Sequence, residues 1–350
     1  MKAIRCTAVK EPLEIQDVDK PQPGDDQVVV RVAGCGVCHT DIGFWIDGVP
    51  TKKPLPLTLG HEISGTVVEA GSGYQSPVGR EVIVPAVIPC GSCDLCAQGR
   101  GNICRRQMMP GNAIDGGFAE YVAVPGAGLC EVTDRTGYEL LELSVVADAV
   151  TTPYQAIVRS GHNAGDLAVV VGVGGVGTYC VQIAAALGAK VVAVDVDQHK
   201  LDVIADHGAA LTINSAETDF KNLKKEIKST AKEWGCTSHS WKIYECSGQA
   251  GGQETAYGLL TYASTLMVVG FTLGKIEVRL SNLMAFDATV QGTWGCRPEL
   301  YPEALRLITD QKITLKPFIE QYPMSQAPEV LQRAADHEID KRAILVPDWE

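Results

Sequence analysis

The chain has no apolar run approaching the eighteen or so residues that a membrane-spanning helix needs, which excludes an ordinary helical span. Its opening, MKAIRCTAV, alternates apolar and polar residues like a first strand. It has neither the apolar core nor the cleavage site of a secretory signal, so cytoplasmic residence is expected. There is no long basic block and the formal net charge is −12, which argues against nucleic acid as the main partner. A local cluster of cations can still hold a small anionic ligand. No repeat recurs at a fixed period and no segment is of low complexity. What the chain does have is cysteine, twelve in 350 residues. At this length, without a signal segment, they read as metal ligands or reduced thiols rather than a disulfide framework.

The length favours two domains, and 45% hydrophobic with 21% charged residues is the composition of a globular protein. Up to about residue 150 the chain is rich in glycine and proline, with short β-branched runs such as DQVVVRVAG, ISGTVVEAG and REVIVPAV. Strands broken by turn residues at this spacing predict a barrel-like β domain. Beyond it, LAVVVGVGGVGTYCVQIAAALGAKVVAVDVD reads as strand, glycine turn, helix and strand. DFKNLKKEIKSTAKEWG is a charged surface helix and STLMVVGF another buried strand, an alternation that implies a parallel sheet with helices on both faces. The tail, ending in KRAILVPDW, returns to loop-rich texture with a final strand. The expected division is a β domain over 1–151, an α/β domain over 152–289, and a tail over 290–350 that rejoins the first.

Gly172, Gly174 and Gly177, with Gly175 and Val176 between them, form G-x-G-x-x-G directly after an apolar strand and before a helix. Such glycines let backbone amides approach a pyrophosphate at a helix N-terminus. Asp195 ends the next strand at the separation expected of a ribose acceptor. It would accept bonds from the ribose hydroxyls and repel a 2′-phosphate, so NAD is expected over NADP. The alternative is a glycine-rich turn in an α/β protein with no nucleotide.

Cys90, Cys93, Cys96 and Cys104 lie in the lobe over about 89–105, as C-x-x-C-x-x-C followed by seven residues and a cysteine. Four thiolates on a tight loop suit a structural zinc with a closed shell. An iron–sulfur cluster competes, and four unmetallated thiols fit a loop this polar least well. Cys38, in VAGCGVCHTDIG, and His61, in LGHEISG beside Glu62, supply a thiolate and an imidazole from glycine-rich loops of the β domain. That is a zinc-type pair, which needs a third protein ligand and an open fourth position to be catalytic.

With GVCHTD, GHEISGTV, the four-cysteine lobe, VGVGGVG and VVAVDVD in this order, the chain resembles the zinc-dependent medium-chain alcohol dehydrogenases over essentially its whole length. The resemblance implies an α/β fold with a GroES-like β-barrel catalytic domain and a Rossmann doubly wound nucleotide domain. It implies two zinc ions per subunit, NAD as cofactor, and hydride transfer from an alcohol. It places the catalytic zinc on Cys38, His61 and a residue before the nucleotide domain, where Asp148 stands in VVADAVTTPYQA in place of the common cysteine. Glu62 matches a residue that in some relatives reaches the metal. Asp41 would hold the far nitrogen of His61, and Thr40 would take the substrate proton. His39 and Arg342 would face the pyrophosphate, and Lys200 the ribose. Gly43 stands where many relatives carry a relay histidine, so the proton would leave Thr40 through ribose and water or through another side chain. Cys35, for all its C-x-x-C spacing to Cys38, reads as a small buried thiol.

A finer resemblance is to the 6-hydroxycyclohex-1-ene-1-carbonyl-CoA dehydrogenases, carried by AGCGVCHTDIGFWIDGVPTKKPLPLTLGHEISGTVV, EVIVPAVIPC, MPGNAIDGGFAEYVAVP and VADAVTTPYQA. It implies oxidation of a cyclic secondary alcohol beside a thioester carbonyl in anaerobic benzoyl-CoA degradation. A CoA thioester needs local cations, for which Lys52, Lys53, Arg105, Arg106 and Arg297 are candidates. The alternatives are a dehydrogenase of free cyclic, allylic or aromatic alcohols, a reductase using NADPH, and a non-catalytic nucleotide-binding protein. The partner expected is a small-molecule alcohol, with no nucleic acid and no membrane. Relatives of this kind assemble as homodimers or homotetramers.

Overall fold

The computed structural model describes residues 1–74 and 78–349. The chain divides into two compact units, one comprising Met1–Thr151, Gly295–Thr309 and Thr314–Glu350, the other Thr152–Trp294 and Asp310–Ile313.

The first unit opens with β1 (Lys2–Cys6), β2 (Glu14–Asp17), β3 (Gln27–Gly36), α1 (His39–Trp45), β4 (Leu57–Thr58), β5 (Glu62–Ala70) and β6 (Glu81–Val84). It continues with α2 (Asp94–Ala97), β7 (Tyr121–Pro125) and β8 (Cys130–Glu131). After α3 (Thr151–Arg159) come the elements of the second unit: β9 (Leu167–Val171), α4 (Gly177–Ala186), β10 (Lys190–Asp195), α5 (Gln198–Ala205) and β11 (Leu211–Asn214). They are followed by α6 (Phe220–Glu233), β12 (Trp241–Glu245), α7 (Ala250–Gly258), β13 (Thr265–Val268), α8 (Ser281–Phe286) and β14 (Thr289–Gly292). The tail adds α9 (Tyr301–Thr309), β15 (Ile319–Pro323), α10 (Ala327–Ala335) and β16 (Arg342–Val346) to the first unit.

In the first unit β1 lies between β2 and β4, and a larger sheet runs β15-β16-β3-β5-β6-β8 with β7 also on β3. The β-branched run of β3 explains its central place. Val28, Val29 and Val30 are all buried, and Val28 and Val30 meet Ile63, Val67, Val82, Val122 and Val124 in one core. Each such side chain contributes roughly 1.5–3 kcal/mol of transfer free energy. The tail closes this sheet: Ile344 and Leu345 of β16 pair with Gly36 and Cys35. β3 and β5 therefore end side by side, with Gly36 opposite Glu62, and the residues just beyond those ends bring Cys38 and His61 together.

In the second unit the sheet is parallel, in the order β11-β10-β9-β12-β13-β14. β9, LAVVV, is buried at every position, as a strand covered on both faces must be. Helices alternate with the strands as their sequence periods predict; Asp197 caps α5 and Asp219 caps α6 through their carboxylates. The strand order reverses between β9 and β12, the place where sheets of this kind receive ligands. Among the described residues no helix is long and apolar enough to cross a membrane.

Candidate active site and metal centres

Asp41 organises the first cluster. It sits in the opening turn of α1, fully buried. Its Oδ2 accepts a bond from the Cys38 amide at 3.0 Å, and its Oδ1 one from the Gly60 amide, also at 3.0 Å. The same Oδ1 lies 3.2 Å from His61 Nδ1. One carboxylate thus holds both loops and turns His61 Nε2 away from itself. The third loop arrives from the short 3₁₀ turn Leu141–Ala147, which ends on Asp148. Asp148 Oδ2 lies 3.7 Å from Cys38 Sγ and 3.6 Å from His61 Nε2. Bonds of about 2.0–2.3 Å to a tetrahedral zinc place sulfur, nitrogen and oxygen ligands about 3.3–3.8 Å apart, so this donor set fits the ion. With Glu62 included, the four donor atoms lie within 4.8 Å of one another.

Glu62 has a partner of its own. Arg342 donates from Nε to Oε2 at 3.0 Å and from a terminal nitrogen to Oε1, and both residues are buried. A Cβ on Gly36 would lie 2.0 Å from Glu62 Oε2, so that glycine makes room for the carboxylate. Burial would push the Arg342 guanidinium down, but Glu62, Cys38 and Asp148 hold it above its ordinary value. Burial likewise favours a neutral His61, yet Asp41, Asp148 and Cys38 hold its pKa well up in the metal-free protein. A divalent cation would take over the role of that proton. Thr40 Oγ1 lies 3.6 Å from Cys38 Sγ. His39 is exposed and stacks on His337 with ring centroids 5.4 Å apart. Cys35 is buried, its thiol pushed well up by burial.

The second cluster is closed. The sulfur separations are 4.0 Å for Cys90 and Cys96, 3.4 Å for Cys93 and Cys96, 3.7 Å for Cys93 and Cys104, and 3.5 Å for Cys90 and Cys104. A tetrahedron of Zn–S bonds near 2.3 Å has edges of about 3.8 Å, so the four sulfurs already stand near its corners. The Ser92 amide leads in lowering the Cys90 thiol to about 5. Burial leads in raising Cys96 to about 11. On this lobe Lys52 donates to the carbonyls of Arg105 and Gln107, Arg106 to Ser92, and Arg297 to the carbonyl of Gly99. Lys53 is bound instead to Asp115.

The glycine turn lies in the second unit. Gly172 has φ +89°, and a Cβ on Gly177 would fall 1.8 Å from the Gly172 carbonyl oxygen, so the turn closes tightly on itself. A Cβ on Gly174 would meet nothing within 4 Å, and Gly175 is exposed: this face of the backbone is open, as a pyrophosphate cradle requires. Val176 precedes α4 as its N-cap. Asp195 accepts from the amides of Val173, Val196 and Asp197 at 2.7, 2.8 and 3.0 Å, which sets its carboxylate against the turn. Lys200 pairs with Asp197 at 3.5 Å.

Residues 24–134 match the alcohol dehydrogenase GroES-like domain family, and residues 175–310 match the zinc-binding dehydrogenase family. An alcohol dehydrogenase of Geobacillus stearothermophilus is 31% identical, with 99% of this chain and 100% of that protein covered. The chain belongs to the zinc-binding alcohol dehydrogenase family. It has the medium-chain dehydrogenase fold, a GroES-like unit and a Rossmann unit, and it is an oxidoreductase of the NAD(P)-dependent alcohol and polyol class. Among solved structures, the alcohol dehydrogenase of Aeropyrum pernix is 28% identical with a TM-score of 0.87, covering 99% of this chain and 100% of that one. A Sinorhizobium meliloti protein solved with NADP bound is 27% identical with a TM-score of 0.87, covering 99% of each.

Three features of the dehydrogenase escaped the reading of its sequence. The Glu62–Arg342 pair joins residues 280 apart, with no local signal. Tyr301, fully buried on α9, accepts from the Ala86 amide and donates to the Ala147 carbonyl, bracing the peptide that precedes Asp148. Glu245 is an acid closing an apolar strand, and that irregularity is a signal the sequence did carry.

Proposed function

We propose that this dehydrogenase oxidises a cyclic secondary alcohol with NAD, its best candidate substrate being 6-hydroxycyclohex-1-ene-1-carbonyl-CoA, converted to the 6-oxo compound. The observation that carries the catalytic reading is the convergence of Cys38, His61 and Asp148 within zinc-ligand spacing around one Asp41 carboxylate. Zinc held there supplies Lewis acidity that makes an alcohol hydroxyl easier to deprotonate, and NAD supplies the hydride acceptor. Asp41 fixes the His61 tautomer, leaving Nε2 for the metal. Thr40 would take the substrate proton; because Gly43 has no side chain to pass it on, the proton would leave through the cofactor ribose and water or through another side chain. Glu62, neutralised by Arg342, stands within reach for ligand exchange at the metal.

The turn Gly172, Gly174, Gly175, Val176, Gly177 would receive the pyrophosphate, and the resemblance makes His39 and Arg342 the further candidates for phosphate contacts. Asp195 receives the ribose hydroxyls beside Lys200 and disfavours a 2′-phosphate. Cys90, Cys93, Cys96 and Cys104 would hold a second zinc, which would keep the lobe in shape. The CoA reading is supported by the gathering of Lys52, Arg105, Arg106 and Arg297 on that lobe in a chain of net charge −12. A homodimer or homotetramer is supported by the edge strand β14 and the exposed Leu280, Met284 and Val290 near it. We place the enzyme in the cytoplasm and take residues 1–151, 152–289 and 290–350 as its functional divisions.

The second reading is a dehydrogenase of free alcohols, favoured by relatives named alcohol, sorbitol and L-threonine 3-dehydrogenase. NAD reduction measured across matched free and CoA-linked cyclic alcohols, with zinc quantified on the same sample, separates the two. The proposal requires tighter, salt-dependent use of the thioester. Equal use of both, without salt dependence, returns the substrate to the free-alcohol class.

A further inference from the structure

Glu245 closes β12 beside Val171, the last residue of β9, and so stands where the strand order of the Rossmann sheet reverses. It is fully buried. Its Oε1 accepts from the Ser247 amide at 2.8 Å, the Ser247 hydroxyl at 2.5 Å and the Gly248 amide at 3.1 Å. Its main-chain carbonyl accepts from the amides of Val269 and Gly270, both at 2.9 Å. Ser247 in turn abuts the glycine turn, for a Cβ on Gly172 would lie 2.5 Å from its N and Cα atoms. The Cys246 amide donates to the Val171 carbonyl at 2.8 Å. The loops that follow β9, β12 and β13 therefore meet at one residue. Its second oxygen, Oε2, is buried without a partner among the described residues. A buried carboxylate with an unused oxygen is destabilising in itself. What it provides is a single acceptor that gathers three donors of one loop and presses that loop on the turn.

We propose that Glu245 is a positioning residue for the dinucleotide. It acts through residues 246–248, holding Ser247 against Gly172 so that the turn and the N-terminus of α4 keep the form that receives a pyrophosphate. The inference rests on the dinucleotide reading above, and the test separates the two. Wild type is titrated with NADH and with NADPH by fluorescence, and E245A, E245Q and S247A follow, with melting temperature and zinc content as checks on folding.

E245A is expected to bind NADH at least tenfold more weakly and to raise the NAD KM to match. Its alcohol KM at saturating NAD and its kcat are expected to change less than twofold. E245Q, whose amide oxygen can take the same three donors, should stay within threefold of wild type. S247A should fall between, at an unchanged melting temperature. A folded E245A or S247A that binds NADH within twofold of wild type, or an E245Q as weak as E245A, overturns the inference. Should E245A fail to fold, the other two variants decide. A wild type that binds neither NADH nor NADPH removes the dinucleotide reading itself.

Discussion

Removing the Asp41 carboxylate should loosen both ends of the proposed catalytic metal site at once. In wild type it accepts from the Cys38 and Gly60 amides and from His61, all from a fully buried position. Asp41→Ala leaves two buried amides without an acceptor, at about 1–3 kcal/mol each, so about 2–6 kcal/mol of stability is lost. It also frees the imidazole to rotate, and losing a partner of this kind typically weakens metal binding by about 10–100-fold. Asp41→Asn keeps one acceptor oxygen but turns a donor toward one of the amides, so an intermediate loss is expected. The assay is competition for zinc against a chromophoric chelator, with the four-cysteine site, which Asp41 does not touch, as the internal reference. Melting curves of zinc-free and zinc-loaded protein then separate lost folding energy from lost metal affinity. An Asp41→Ala protein that holds its weaker zinc within twofold of wild type would refute this reasoning, because the carboxylate would then be orienting nothing.

Cys104→Ser should lower zinc by one equivalent per chain and reduce the melting temperature, since the buried Cys104 sulfur completes the four-sulfur set; elemental analysis beside a melting curve checks it. Gly43→Ala should stabilise the protein by about 0.5–1 kcal/mol in a denaturant titration. Gly43 lies inside α1, and an added Cβ meets Val49 and Asp47 only at 3.7 and 3.9 Å, ordinary contact distances. A large loss of stability there would mean that the glycine serves the backbone. Asp115→Asn should act through pH. Burial would raise the Asp115 carboxyl, but Lys53, the Thr58 amide and Arg5 hold it below the usual carboxylate range. A lowered folded pKa stabilises fully above the unfolded value of about 3.9, and that stability is lost as pH falls through the folded pKa. The variant should therefore be less stable than wild type at neutral pH, by about 1 kcal/mol or less for a partly exposed group. The gap should close only below about pH 4.

The parts of this dehydrogenase that were legible in its sequence are those set by short-range spacing. The glycines of VGVGGVG, the apolar strand before them and the aspartate ending the next strand predict a turn whose steric need the structure shows at Gly172 and Gly177. The four cysteines lie on one short lobe, so their spacing nearly determines their meeting. Cys38 and His61 were harder, because they meet only when β3 and β5 pair; the resemblance to known dehydrogenases, not the spacing, brought Asp148 to them. Long-range polar pairs left no trace in the sequence. Arg342 read as a pyrophosphate contact, and nothing local to KRAILVP tells of its bond to Glu62. Nothing local to Tyr301 tells that its hydroxyl joins two distant peptides behind Asp148. Such contacts depend on the register of the returning tail, which is settled by packing of the whole first unit.

Zinc add-back to the chelated enzyme, with alcohol-dependent NAD reduction followed against zinc bound, tests the catalytic role of Cys38, His61 and Asp148 most directly. Activity should be absent while only the four-cysteine site is filled. Turnover should then rise in proportion to one further zinc per chain, with Cys38→Ser failing to take up that zinc and failing to turn over. Full activity in the Cys38→Ser protein, or turnover independent of the second zinc, would contradict it.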